Sequence, residues 1–283
     1  MTPATFFAAI RPAFGNRLSQ PQVDGMQAIL DAARAAKVTD AHHVAHILAH
    51  VRRETGGYMS PIKETVMPSH KNKNPTDAEV MQRLERAWAR GQLPWVKKPY
   101  WRDGEFGRGQ IQLTHAKNRA KFGIADRDDL LKLPVSARVA VVGMRDGLFT
   151  GKKLSGYTFP AALDAAPKNN PRRIVNGPDG SDAEVAKFHR QFHAALVKAG
   201  WSEAHVKETP VSATRPAPRV NAEAPKTPAQ REVAPKPSQG AETAKTVAGG
   251  AAGAGLVVAV LAFGSDVAQA WHDGWVWVFS FFN

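Results

Sequence analysis

The sequence predicts a mainly α-helical domain over residues 1–200, a Pro/Ala/Lys-rich linker over 201–245 and a hydrophobic segment with an aromatic tail over 246–283. Three observations carry this division. Apolar residues recur at spacings of three and four through the first 200 positions, no run of alternating apolar and polar residues marks a sheet, and the composition changes abruptly near Thr209.

Each helix has its own signal. Val23, Met26, Ile29, Leu30 and Ala33 form one stripe, and Val44, Ile47, Leu48 and Val51 form another on a helix read from residue 40 to 55. Thr76 and Glu79 have the spacing of a capping box, opening a helix that carries Val80, Leu84 and Trp88 to Gly91. Val139 to Met144 reads as a buried helix. A second box, Ser181 with Glu184, opens a last helix that buries Val185, Phe188, Phe192 and Leu196 and stops at Gly200.

Residues 209–240 hold seven prolines and almost no large apolar side chains, the composition of a disordered, semi-extended linker. Residues 246–265 then run for twenty positions without a charge, which as a helix reaches about the hydrocarbon thickness of a bilayer. Gly249 and Gly253 suit close helix packing, while Trp271, Trp275, Trp277, Phe279, Phe281 and Phe282 suit an interface. A transmembrane helix is the expected reading. A helix lying on the membrane, or one binding a protein partner, is the alternative.

The first 200 residues carry 31 Lys and Arg against 18 Asp and Glu, and the remainder 7 against 7, so the whole excess of positive charge lies on the helical domain. Such a domain favours polyanions: nucleic acid, an anionic membrane or the acidic polymers of a bacterial envelope. No nucleic-acid-binding motif is present, so the envelope is preferred and no nucleic-acid partner is expected. The absence of cysteine excludes disulfides, thiolate catalysis and Cys-ligated metals. Residues 1–14 lack a basic start followed by a long apolar run, and a cleaved export signal is not expected.

Two segments carry chemistry. Arg53-Glu54-Thr55-Gly56-Gly57 closes an amphipathic helix, and Gly107-Arg108-Gly109-Gln110-Ile111-Gln112-Leu113-Thr114 follows downstream. Glu54 falls one turn past Val51, where desolvation and the negative end of the helix dipole both favour a protonated carboxyl, as a general acid requires. The Gly-Arg-Gly turn lets backbone approach a ligand closely, and the neutral donors and acceptors after it suit sugar hydroxyls.

With Asn118 and Ile174-Val175-Asn176-Gly177 added, the chain resembles the family 19 glycoside hydrolases, plant-type chitinases and the phage endolysins related to them, over roughly residues 40 to 197. The resemblance implies a lysozyme-like helical fold in which Glu54 protonates the glycosidic oxygen. It implies that Thr114 and Asn118 hold the attacking water and the sugar N-acetyl group, and that Gln112 and Asn176 bind the glycan. Arg108 is a further expected substrate contact. Glu64 is the expected general base, ahead of Glu105. Two positions depart from the family pattern: Arg53 stands where a His is common, and Phe188 falls near a customary basic residue.

The expected function is therefore that of an endolysin cutting β-1,4 bonds of peptidoglycan glycan strands, without cofactor or metal. The alternatives are a chitinase, a metal-dependent amidase and a non-catalytic, membrane-tethered glycan-binding protein. His42, His46 and His50 recur every fourth residue and raise the amidase reading, against which a solvated histidine face is the simpler expectation. The cations before the apolar run, Arg215 to Lys245, against Asp266 and Asp273 after it, place the domain in the host cytoplasm or at the inner membrane before lysis. Its target is the periplasmic wall, so a separate holin-type pore or a membrane-disrupting tail is expected to take part.

Overall fold

The computed structural model describes residues 1–67 and 69–208. The linker beyond residue 208 and the segment 246–283, with the expected membrane span, lie outside the described residues.

The described chain is mainly helical. In order come α1 (Pro3–Ile10), α2 (Gln20–Ala35), α3 (Ala41–Glu54), β1 (Ile62–Lys63), α4 (Asp77–Ala89), β2 (Arg108–Gly109), α5 (Ala116–Ala120), α6 (Leu133–Asp146), α7 (Asp182–Lys198) and α8 (Glu203–Glu208). Among the described residues no helix is long and apolar enough to cross a membrane. β1 and β2 pair antiparallel, with Ile62 opposite Gly109 and Lys63 opposite Arg108.

The predicted stripes face a single large core. Val23, Met26, Ile29 and Leu30 of α2 meet Val44, Ile47, Leu48 and Val51 of α3, Val139 to Met144 of α6, and Phe192 and Leu196 of α7. Phe6, Phe7 and Ile10 are buried in the same cluster, so the N-terminal aromatics form an amphipathic helix of the domain. A second, smaller core gathers Val80, Leu84 and Ala87 of α4 with Leu93, Val96, Trp101 and Phe106.

The caps divide. At α4, Thr76 Oγ1 accepts from the Glu79 N–H and a Glu79 carboxylate oxygen accepts from the Thr76 N–H, at 3.2 and 2.6 Å, so the reciprocal box forms. At α7 it does not form. The Ser181 hydroxyl donates to Asp179 at 2.6 Å and Glu184 turns to Arg53, because half-buried charges nearby offer both groups stronger partners than the helix end. Phe188 is half-buried, with the Arg52 guanidinium 3.9 Å above its ring.

One glycine fixes how α2 meets the loop that carries the site. A Cβ on Gly25 would lie 2.1 Å from the Met59 carbonyl oxygen, and Gln110 Nε2 donates to both carbonyls, Gly25 at 3.1 Å and Met59 at 2.6 Å. Only a bare backbone allows that approach.

Candidate active site

Glu54 is the last residue of α3. Gly56 and Gly57 follow with φ of 59° and 80°, and the Gly57 N–H donates to the Arg52 carbonyl at 2.8 Å, so the chain leaves the helix through left-handed residues as Gly-Gly allows. The Glu54 side chain is buried. Arg172, from the short turn Pro171–Ile174, approaches it with Nη1 2.9 Å from Oε1, but the contact lacks hydrogen-bond alignment and Oε1 has no aligned donor. The guanidinium spends its aligned donors elsewhere: Nη2 on Asp179 at 2.7 Å and Nη1 on His50 Nδ1 at 2.9 Å. Burial pushes the Glu54 carboxyl upward; Arg172 and Arg53 pull it down, Asp179 pushes it up again, and the net direction is up. Arg53 itself reaches Glu184 on α7, 3.2 Å away.

Glu64 follows β1 and meets the chain entering β2. Its N–H donates to the Gly107 carbonyl at 2.8 Å, and its carboxylate accepts from the Gly107 N–H and the Tyr100 hydroxyl, each at 2.7 Å. Burial raises its carboxyl, both donors and Arg108 oppose the rise, and the net direction is up, as for Glu54. Glu105, its rival, is committed to Arg119 through a two-point contact at 2.6 and 3.1 Å. Burial pushes Glu105 up, but that fork outweighs it and leaves the group below its usual range.

The segment after β2 is held in a strained shape. Gln112 and His115 are non-glycine residues at φ of 51° and 70°, a conformation that costs on the order of 1–3 kcal/mol each and persists where surroundings enforce it. Gln112 Nε2 is pinned to the Ile62 and Gly109 carbonyls at 3.1 and 2.8 Å. Thr114 donates to the Gln112 carbonyl at 3.1 Å, and Asn118 Nδ2 donates to the Thr114 carbonyl at 3.0 Å. Asn176 places its oxygen on the Gly177 N–H at 2.8 Å. Two cavities flank this segment. One of about 630 Å³ is lined by Trp95, Tyr100, Glu105 and His115, with Trp95 42% exposed; the other, of about 670 Å³, is lined by Asn118, Asn176 and Arg173.

Two sequence expectations are corrected. Arg108 does not face a ligand: it is 1% exposed, and its guanidinium is spent on Asp77 at 2.7 Å, Asp128 at 3.1 Å and the Gly104 carbonyl at 2.9 Å. A buried guanidinium needs its donors satisfied, and these acids and carbonyls satisfy it, so it pins the turn. The histidine stripe is not solvated either. His46 and His50 are fully buried between α3 and α7, packed on His189 and Phe159. Their ring nitrogens meet in pairs, and among the described residues no three potential ligands converge as a metal would require.

Sequence reading missed Arg172 and Tyr100, which face Glu54 and Glu64, and Asp179 and His50, which hold Arg172. Arg172 had a signal, since it stands two residues before Ile174-Val175-Asn176-Gly177. Tyr100 had none.

Comparison with protein-family models, with curated proteins and with solved structures returns no match.

Proposed function

We propose that this protein is a peptidoglycan-degrading endolysin with a lysozyme-like helical domain, hydrolysing β-1,4 bonds between N-acetylated sugars with Glu54 as general acid and Glu64 as general base. One contrast carries the reading. Glu54 is buried with an oxygen that has no aligned donor, whereas Glu64 has a donor on each oxygen. Burial raises both carboxyls; a donor on each oxygen favours the anion at Glu64, while an oxygen without an aligned donor favours the proton at Glu54, and this difference supports the division of acid and base roles. Glu105 is a weaker base because Arg119 occupies both its oxygens. Asn118 and Asn176 line one cavity and supply neutral contacts for the sugar, with Thr114 and Gln112 in the loop that leads to Asn118. Trp95 and Tyr100 offer aromatic surface on which a sugar ring can pack.

Glu64→Gln is expected to lose most turnover on purified walls, while Glu105→Gln keeps more of it after correction for folding. The reverse order reassigns the base.

An acidic wall suits the basic domain better than neutral chitin. Attraction of this kind is screened over about 8 Å at physiological ionic strength, so wall binding should weaken as sodium chloride rises. Pull-down of the protein with insoluble wall at low and high salt measures this, and a salt-independent affinity removes electrostatics from the account.

A further inference from the structure

The cavity beside Asn118 and Asn176 is ringed by Lys117, Lys121, Lys152 and Arg173, and no carboxylate lines it. Its wall is ordered: the Thr150 hydroxyl donates to the Arg173 carbonyl at 2.6 Å, and Lys121 donates to the Leu148 carbonyl at 2.9 Å. A neutral glycan offers these four cations hydroxyl and amide oxygens but no counter-charge. We propose that this cavity is a subsite for carboxylate-bearing substituents of an acidic glycan, reached by the strand that Asn118 and Asn176 contact; it rests on the glycan-cleaving reading above. The shared chemistry is a carboxylate, carried in peptidoglycan by the stem peptide or, where the peptide has been removed, by the freed lactyl group.

Full-length Glu54→Gln protein, alone and with Lys117→Gln, Lys152→Gln and Arg173→Gln added, would be titrated with three probes: peptide-bearing wall oligosaccharides, the same oligosaccharides stripped of peptide, and neutral N-acetylglucosamine oligomers. The triple change should weaken the acidic probes by roughly tenfold or more and leave the neutral probe unchanged. Loss on the peptide-bearing probe alone assigns the stem-peptide carboxylates; loss on the stripped probe alone assigns the freed lactyl carboxylate, and loss on both means that the subsite takes either. Equal loss on all three, or none, overturns the subsite. Acid-selective binding, with wild-type protein that releases no reducing ends, keeps the subsite and removes the hydrolase reading.

A second observation stands apart from that cavity. Ring nitrogens run in single file through the α3–α7 interface: His42 Nδ1 to His189 Nε2 at 3.0 Å, His189 Nδ1 to His46 Nδ1 at 3.2 Å, His46 Nε2 to His50 Nε2 at 3.2 Å, and His50 Nδ1 to Arg172 Nη1 at 2.9 Å. A guanidinium can only donate, so the direction of the whole file is set at its Arg172 end. His50 Nδ1 accepts, which leaves its proton on Nε2, pointing at His46 Nε2. His46 then carries its proton on Nδ1, His189 on Nε2, and His42 accepts at the half-buried end. A proton on His46 Nε2, drawn by the Pro171 carbonyl 3.2 Å away, would face the His50 hydrogen head-on. The file therefore runs one way, with His50, His46 and His189 each carrying a single proton. Burial agrees, holding His46 down at about 3, His189 down at about 2 and His50 well below its usual value.

The geometry points to His50 as a positioning residue that holds Arg172 Nη1 away from an aligned hydrogen bond with Glu54, and so keeps the Glu54 carboxyl ready to hold a proton. Glu54 needs that help, because an Arg so close would otherwise favour its anion. The charged and titratable groups around the pair are Arg53, His46 and Glu54 itself from α3, Arg172 and Asp179 from the segment before α7, and Asp182, Glu184 and His189 from α7. This deepens the proposed function, and its readout does not depend on turnover. In full-length protein, ¹³C NMR of the Glu54 carboxyl should show its midpoint falling by about one pH unit or more in His50→Leu, as Nη1 swings to the freed carboxylate. His50→Gln, whose amide oxygen can accept, should restore it, and the basic limb of wall hydrolysis should follow in both. In wild type, ¹⁵N NMR should find the Nε2–H tautomer on His50 and Nδ1–H on His46. An unmoved or raised Glu54 midpoint, or the opposite tautomers, overturns the role. A shifted midpoint in a protein that cuts no glycan keeps it and discards the hydrolase.

Discussion

Glu54→Gln should lower turnover on purified wall by about 100- to 10,000-fold, the range over which general acid catalysis typically contributes, while leaving the helical domain folded. The amide keeps the shape of the carboxyl but cannot give up a proton to a leaving oxygen. It also removes the charge that faces Arg172, whose buried guanidinium remains paired with Asp179. Thermal unfolding by circular dichroism beside a turnover assay separates the two effects. A variant that unfolds as late as wild type and still turns over at the wild-type rate takes the acid role away from Glu54.

The largest loss of stability is expected from Arg172→Met. Arg172 is 2% exposed and faces two carboxylates, Glu54 and Asp179, each 2.9 Å or less from a guanidinium nitrogen. Removing one member of a buried charge group leaves the others uncompensated, and such changes cost about 3–5 kcal/mol. Urea denaturation at neutral pH reads this loss directly. Acid titration adds a signature. Burial pushes the Asp179 carboxyl up, but the Arg172 charge and the hydrogen bonds from Arg172 and Ser181 hold it down at about 2, against 3.8 unperturbed. Its folded value is depressed, so this contribution is present above about pH 4 and is lost as pH falls toward 2. Arg172→Met should flatten that acid loss. A variant as stable as wild type, with an unchanged acid limb, would mean that the pair contributes nothing net.

The helices were legible because their signals are local. The stripes of α2, α3, α6 and α7 and the Thr76 box follow from periodicity and capping, which depend on residues three and four apart. Ser181 failed as a box because Asp179, two residues earlier, takes its hydroxyl, and Arg53, across the α3–α7 contact, takes Glu184. Glu54 was legible for the same local reason as the helices: it continues the α3 stripe to the helix end. Arg108 misled because a Gly-Arg-Gly turn reads as open, and only the fold brings Asp77 and Asp128 to it. The histidines misled in the opposite sense. Their four-residue spacing gives a face of α3, but that His189 of α7 covers it is a tertiary fact that periodicity does not contain.

Reducing-end analysis of purified peptidoglycan digested with the full-length protein, beside the Glu54→Gln variant, tests the proposed function most directly. The account predicts new reducing sugar ends from wild type and almost none from the variant, with stem peptides still attached to the released glycan. Soluble fragments bearing freed peptides and no new reducing ends, or equal release by both proteins, would contradict it.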